Sequence, residues 1–405
     1  MNKENTSSKL ITSLFDTGSL TRETTNILNS FDEIIQGVRP LNSRQLQQLP
    51  ENIRNLSHQL TDDRASRRLG YMNDNIQLSS YVRYYTWWNL VRLTRLFANI
   101  PATVFPTSDC TCLDLGSGPL TVVTALWLAR PELRKLKLTW YCLDVSANSM
   151  ALGEDIFLSI AACTGEEPWH IVRVKGAFGT TIKQKANFLT CANMFNELDQ
   201  ASDMPPEFTT KKYYEQIQRY CENDAGVLLV EPGVPKAART LSLLRTRFIK
   251  DGRTIAAPCP HAEECPMSGF KAYTGSKNKW CNFAFSTEDA PAKLQKLSVA
   301  AKLPKERATL SFIAVEHGHA ELVSASPDTT SIRIASDKLR LPNYMCGYYA
   351  CTRFGLALVR LPDENNKKLP KPPFRPQSGD LIQVKIKTPD SLPKDEKSGA
   401  VIIEI

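Results

Sequence analysis

The sequence predicts an α/β fold: a largely parallel sheet covered on both faces, preceded by a helical region and interrupted by a cysteine-rich insertion. Three observations carry this. Short apolar runs alternate with helical periods between Thr111 and Glu231, the pattern a parallel sheet demands. Residues up to about 105 show helical spacing. Residues 253–282 fit neither period, are rich in Pro, Gly and Lys, and hold three cysteines.

The composition bounds the function. With 405 residues, 42% hydrophobic and 23% charged, the chain is ordinary globular protein, which excludes a disordered or collagen-like chain. Its length accommodates two to three domains at about 100–200 residues each. The expected division is an N-terminal helical domain at 1–105, a main domain at 106–361 with the insertion at 253–282, and a basic linker with a small β extension at 362–405. No stretch approaches the roughly 20 apolar residues of a membrane span, so no membrane partner is expected. The first ten residues carry Glu4 and no apolar core, so a bacterial cytoplasm is the expected compartment. Eleven cysteines there point to thiols and metal ligands rather than disulfides. A net charge of +8 suits an anionic partner such as nucleic acid.

Taken in order, Leu46, Leu49, Ile53, Leu56 and Leu60 mark one helix, and Tyr81, Tyr85, Trp88, Leu90, Leu93 and Phe97 another, closed by Pro101 and Pro106. Aromatics Tyr81, Tyr84, Tyr85, Trp87 and Trp88 interleave with Arg83, Arg92 and Arg95. That pattern suits RNA stacking, but packing of the helices onto the next domain explains it better. Strands follow at Thr111–Leu115, Leu136–Asp144, His170–Val174, Asn187–Ala192 and Gly226–Glu231, with helices at Val122–Leu128 and Met150–Ala161. Pro235 opens a further helix whose apolar face is Ala237, Leu241, Leu244 and Phe248; Asp251-Gly252 ends it. Later strands are expected at Ala308–Val315, Gly347–Cys351 and Leu356–Leu361, around a polar loop near Ser324–Thr330. Pro362–Pro376 reads as a linker, and Leu381–Ile386 and Val401–Ile405 as a paired terminal sheet.

The strongest motif is Asp114-Leu115-Gly116-Ser117-Gly118-Pro119, between a strand and a helix. Glycines there let the backbone turn sharply and approach a ligand. A dinucleotide loop would need glycine at Thr121. An acid two residues before the first glycine is instead typical of S-adenosylmethionine enzymes. Asp114 is placed to meet the methionine ammonium, with Gly116, Ser117 and Gly118 passing the sugar and thioether. Asp144, ending the next strand before Ser146, is placed to accept from ribose hydroxyls. The fourth strand ends Thr190-Cys191-Ala192-Asn193, without the Asn-Pro-Pro-aromatic turn that clamps a flipped base. Asn193, Asn196 and Glu197 either line the cofactor mouth or cap a helix. Cys191 reads as a buried thiol rather than a nucleophile.

Cys259 and Cys265 are separated by five residues, and Cys281 follows after fifteen more. Three thiolates in an irregular segment suit zinc or an iron–sulfur centre, with Cys346, Cys351 or His261 as fourth ligand. Residues 236–282 hold nine Lys/Arg against three Asp/Glu, an excess that offsets thiolate charge and also suits phosphates.

These residues resemble the methyltransferase-like family associated with the small ribosomal subunit, best known from mitochondria and with bacterial members. The match runs from Leu49-Pro50 through Asp114–Pro119 and Val230-Glu231-Pro232-Gly233. It is most specific at Ala257-Pro258-Cys259-Pro260-His261, Cys265-Pro266 and Trp280-Cys281, and continues through Gly347–Thr352. The resemblance implies a class I S-adenosylmethionine-dependent methyltransferase (Rossmann-like) core with an N-terminal helical domain and a cysteine-rich metal-binding insertion. It further implies a [4Fe–4S] cluster on Cys259, Cys265, Cys281 and Cys351, and a role with the small ribosomal subunit and its rRNA. The eukaryotic relatives are in the mitochondrial matrix. Two departures stand out. Leu120 replaces the second glycine of the family's Gly-Pro-Gly-Thr, and is expected to narrow the cofactor pocket. Thr86-Trp87-Trp88-Asn89 lacks a proline common before the asparagine.

Two functions follow. One is methyl transfer to rRNA, in which an in-line displacement rests on positioning rather than on an acid–base pair; no catalytic residue is assigned. The other is a non-catalytic assembly factor using the fold as an rRNA-binding scaffold. A zinc-stabilised RNA-binding protein is the remaining alternative.

Overall fold

The computed structural model describes residues 8–61, 71–198, 204–270, 279–318, 329–364, 374–386 and 389–405. The expected loop near Ser324–Thr330, the linker at Pro362–Pro376 and the centre of the cysteine insertion fall wholly or partly outside the described residues.

After a short strand β1 (Ser8–Thr12), the N-terminal region is helical as expected: α1 (Arg22–Asn29), α2 (Phe31–Val38), α3 (Ser43–Thr61), α4 (Asn75–Tyr81) and α5 (Trp87–Asn99). In α3, Leu49, Ile53 and Leu56 are buried while Leu46 is exposed, so the apolar stripe begins one turn later than its leucines suggest. A π turn, Val82–Thr86, joins α4 to α5. The aromatic residues there pack inward. Trp87 Nε1 donates to Leu28 O at 2.8 Å, Trp88 Nε1 to Ser298 Oγ at 3.0 Å and Tyr84 Oη to Leu303 O at 3.0 Å. The first ties α5 to α1, and the other two hold the N-terminal helices to the rest of the chain.

The main sheet follows as β2 (Cys110–Leu115), α6 (Thr121–Ala129), β3 (Leu138–Asp144), α7 (Ala147–Thr164), β4 (His170–Lys175), β5 (Ala186–Ala192), α8 (Phe195–Leu198), α9 (Pro206–Tyr220), β6 (Cys221–Glu231), α10 (Pro235–Lys250), β7 (Ile255–Ala257), β8 (Phe283–Ser286), α11 (Ala292–Ala300) and β9 (Arg307–Val315). Strand order is β4-β3-β2-β5-β6-β9-β7, with β8 pairing β9. The first five of these strands are parallel, and β9 runs antiparallel between β6 and β7. That order, with its reversed last strand, is the class I methyltransferase topology. Order reverses between β2 and β5, the switch point where ligands bind in open α/β sheets.

One hydrophobic cluster joins the N-terminal helices to α6 and α7; a second lies under α9 and α10 on the opposite face. The sheet is therefore covered on both sides, and its strands read as continuous apolar runs.

The chain ends in a second sheet: β10 (Thr329–Ile334), β11 (Leu339–Leu341), β12 (Met345–Thr352), β13 (Gly355–Pro362), β14 (Leu381–Lys385) and β15 (Val401–Glu404). Its order is β1-β14-β10-β12-β13-β15, with β11 on β12. The expected pairing of the last two strands is not formed. β14 lies between β1 and β10, while β15 pairs parallel with β13. Both strands bury alternate apolar residues in a core that β10, β12 and β13 already offer, which two lone strands cannot do.

Candidate functional site

The glycine loop turns sharply. Gly116, Gly118 and Leu120 have φ of +65°, +49° and +53°, the left-handed region that glycine enters freely and leucine does not. The loop is tied to the end of β3. Gly116 N and Ser117 N donate to Leu143 O at 2.9 and 3.1 Å. Gly118 N donates to Asp144 Oδ2 at 2.9 Å, and Ser146 N to Asp144 Oδ1 at 2.8 Å. Burial pushes the Asp144 carboxyl up, against the pull of these backbone donors.

Asp114 sits beneath the loop, fully buried. Its Oδ1 accepts from Thr190 Oγ1 at 2.6 Å, while Oδ2 has no partner among the described residues. Burial, the largest cause, pushes the carboxyl from 3.8 up to about 7. Cys191, next to Thr190, is a buried thiol pushed well up by the same desolvation, so it is not a poised nucleophile.

Above the loop is a cavity of about 210 Å³ whose wall includes Gly116, Ser117, Gly118, Asp144 and Asn193. Asp114 and Ser146 are not part of that wall. Ser146 Oγ instead accepts from Ser149 N at 3.2 Å, capping α7, and donates to Asn73 Oδ1 at 2.8 Å. Leu120 is also absent from the wall. It is wholly buried in the main hydrophobic cluster, so it does not narrow the pocket as expected. Two methionines narrow it instead. A Cβ on Gly116 would lie 3.0 Å from the Met194 side chain, and one on Gly118 would lie 3.7 Å from Met72 Cε.

Asn193 is left-handed, with φ +60°. Its Oδ1 accepts from Arg92, 3.1 Å away, and Arg92 also donates to Thr309 O at 3.0 Å. Burial pulls this guanidinium down to about 10. Glu231 holds this turn, a role its sequence motif does not reveal. Fully buried at the end of β6, it accepts from Phe195 N at 2.9 Å and Asn196 N at 3.1 Å, fixing the turn that carries Asn193 and Met194.

The cysteine region lies elsewhere. Arg245 of α10 donates from Nε to Cys259 Sγ at 3.1 Å and from Nη2 to His261 O at 2.7 Å. His261 Nε2 lies 2.9 Å from Cys351 Sγ. Arg333 of β10, opposite Cys351 in the β10–β12 register, donates to Pro258 O at 2.8 Å. The insertion is thereby tied to the second sheet at Cys351. Burial pushes the thiols of Cys259, Cys281 and Cys351 up; the charges of their neighbours in this set, Cys265 included, add to it, and nearby arginines oppose it. Burial and Arg245 hold His261 down at about 4, so its ring is neutral at pH 7.

Cys346 is five residues from Cys351, an odd spacing that puts it on the opposite face of β12. It packs with Ile332 and Ile334 in the core of the second sheet. Among the described residues no three Cys, His, Asp or Glu side chains form a group that could hold a metal ion. No helix among the described residues is long and apolar enough to cross a membrane.

No curated protein matches the chain. Among solved structures it is similar to an S-adenosylmethionine-dependent methyltransferase from Geobacter sulfurreducens in complex with S-adenosylhomocysteine, at 12% identity, covering 57% of this chain and 91% of that one, with a TM-score of 0.31. It is also similar to a putative class I S-adenosylmethionine-dependent methyltransferase from Listeria monocytogenes, at 12% identity, covering 76% and 91%, with a TM-score of 0.30. The family model described as mitochondrial small ribosomal subunit Rsm22 matches residues 89–337, more than half of the chain, and the chain belongs to that family.

Proposed function

We propose that this protein binds S-adenosylmethionine at the Gly116–Gly118 loop, carries a [4Fe–4S] cluster on Cys259, Cys265, Cys281 and Cys351, and acts on or with small-subunit ribosomal RNA. The observation that carries the reading is the contact between His261 and Cys351. It ties the loop that follows Cys259 to the strand that bears Cys351, although among the described residues these side chains are not gathered into a metal-holding group. Four thiolates are a soft donor set that suits iron–sulfur chemistry, with zinc the alternative. The buried Arg245 and Arg333 supply the positive charge that such an anionic group needs in a low-dielectric site.

At the other site, the uncommitted Asp114 Oδ2 supports an ammonium or its bridging water, and Asp144 supports ribose hydroxyls. Ser117 and Asn193 would contact the bound nucleoside, while Ser146 would act through the start of α7. Bound there, S-adenosylmethionine would supply an electrophilic methyl group, and the chain's own part is to orient it and exclude water.

The second reading, a non-catalytic assembly factor, is favoured by the size of the cavity. About 210 Å³ is below the roughly 300–1,000 Å³ of ordinary ligand pockets, and Met72 and Met194 cover both glycines.

Titrating S-adenosylmethionine into anaerobically purified protein separates the two. Saturable heat supports the cofactor reading, and its absence at tens of micromolar protein sinks it. Elemental analysis decides between iron, at about four atoms per chain, and zinc. Cys351→Ser is expected to remove the visible iron–sulfur absorption and Cys346→Ser to keep it; the reverse would reassign the ligand.

A further inference from the structure

A second groove, of about 1320 Å³, shares no lining residue with the cofactor cavity. It runs between α10, the cysteine loop and the β12–β13 end of the second sheet. Arg239, Arg245, Lys250, Lys279 and Lys397 line it, against the carboxylates of Glu263 and Glu264. Lys250 and Lys397 are exposed. Two aromatic rings sit among these cations. Phe270 is 46% exposed and lies under the Arg239 guanidinium, and Tyr349 lies 4.0 Å below Lys279 Nζ. An exposed phenylalanine in a cationic groove is costly to leave wet, and among the described residues it stays 46% exposed.

Cations that track a backbone, alternating with flat rings on which bases stack, are what single-stranded nucleic acid requires. An A-form duplex presents no base faces to such rings. We propose that this groove binds single-stranded RNA, with bases stacked on the open side of Phe270 and phosphates held by the exposed Lys250 and Lys397, while Arg239, paired with Glu207 at 2.7 Å, backs the ring. The inference rests on the rRNA reading above and locates it: the strand lies beside the cysteine region rather than over the methyl donor.

The test uses the full-length, anaerobically purified protein and a fluorescent single-stranded RNA of about 12 nucleotides, followed by anisotropy. Phe270→Ala is expected to weaken binding about tenfold, and Phe270→Tyr to retain it. Lys250→Gln with Lys397→Gln is expected to flatten the salt dependence of log K by about 1.4, roughly 0.7 for each phosphate contact removed. The same sequence annealed as a duplex should bind about tenfold more weakly than the single strand. All these side chains are at least partly exposed, and unchanged circular dichroism and iron content check the fold of each variant. If the wild type binds RNA but the variants match it in affinity and salt slope, or the duplex binds as tightly, the groove is the wrong site while the rRNA reading stands. If the wild type binds neither form, the rRNA reading itself falls.

Discussion

The backbone amide of Gly118 donates to the Asp144 carboxylate across 2.9 Å, so the acid that ends β3 is the clasp of the loop that follows β2. The other oxygen of Asp144 takes Ser146 N, which fixes the start of α7. One side chain thus sets two helix entries at the switch point. A carboxylate has about four lone-pair positions, so both bonds leave capacity for ribose hydroxyls. Asp144→Ala leaves two backbone donors unsatisfied. It is expected to lower stability by about 2–3 kcal/mol in urea denaturation and to abolish measurable S-adenosylmethionine binding. Wild-type cofactor affinity in this variant would remove Asp144 from the site.

Asp114 predicts an unusual pH dependence. Its carboxyl holds a proton in the folded chain up to about pH 7 but loses it near 3.8 when unfolded. Between those values the native state binds the extra proton, so stability falls as pH rises, by roughly 4 kcal/mol in all. Asp114→Asn keeps the acceptor for Thr190 and should flatten this slope between about pH 4 and pH 7. Denaturant midpoints across that range measure it, and an unchanged slope would show that Asp114 is ionised throughout. A bound ammonium would pull this carboxyl down. Cofactor titrations near pH 6, in buffers of different ionisation heat, should then report release of about one proton.

Gly153 offers a test that helix propensity alone would get wrong. It lies inside α7, where alanine normally stabilises by about 1 kcal/mol. Here an added Cβ would come 2.3 Å from the backbone carbon of Pro119, so α7 and the glycine loop touch backbone to backbone. Gly153→Ala is expected to destabilise by about 2 kcal/mol and to weaken cofactor binding by displacing Pro119. A stabilised variant with unaltered binding would mean the contact can relax.

The parallel strands were legible because each is a short apolar run bounded by turn residues. Asn187–Ala192 was expected and Ala186–Ala192 formed. Strands β7 and β8, of three and four residues, lie at the two ends of the proline- and cysteine-rich segment, which gives no period to read. Strand β1 is mostly exposed and takes its conformation from β14, some 370 residues away. At the site, Asp114, Gly116, Gly118 and Asp144 were visible as a motif. The capping by Glu231 was not, because it depends on how the end of β6 meets the turn after β5. Gly153 looks like any helical glycine until Pro119 is placed against it. The hold of Arg245 on Cys259 likewise needs the loop and α10 in position.

Leu120 sets two effects of similar size against each other. Its left-handed backbone costs a leucine about 1–2 kcal/mol, which glycine would recover. Its side chain, wholly buried at the start of α6, contributes about 3–5 kcal/mol that glycine would forfeit. Burial wins, so Leu120→Gly is expected to lose about 2 kcal/mol of stability even though it restores the family's Gly-Pro-Gly-Thr. Because the side chain points into the core rather than the cavity, cofactor affinity should stay within about twofold, a shift of roughly 0.4 kcal/mol. Calorimetry on the folded variant at low temperature separates the two effects. A tenfold gain in affinity would show that leucine at this position restricts the pocket after all, through the path of the backbone.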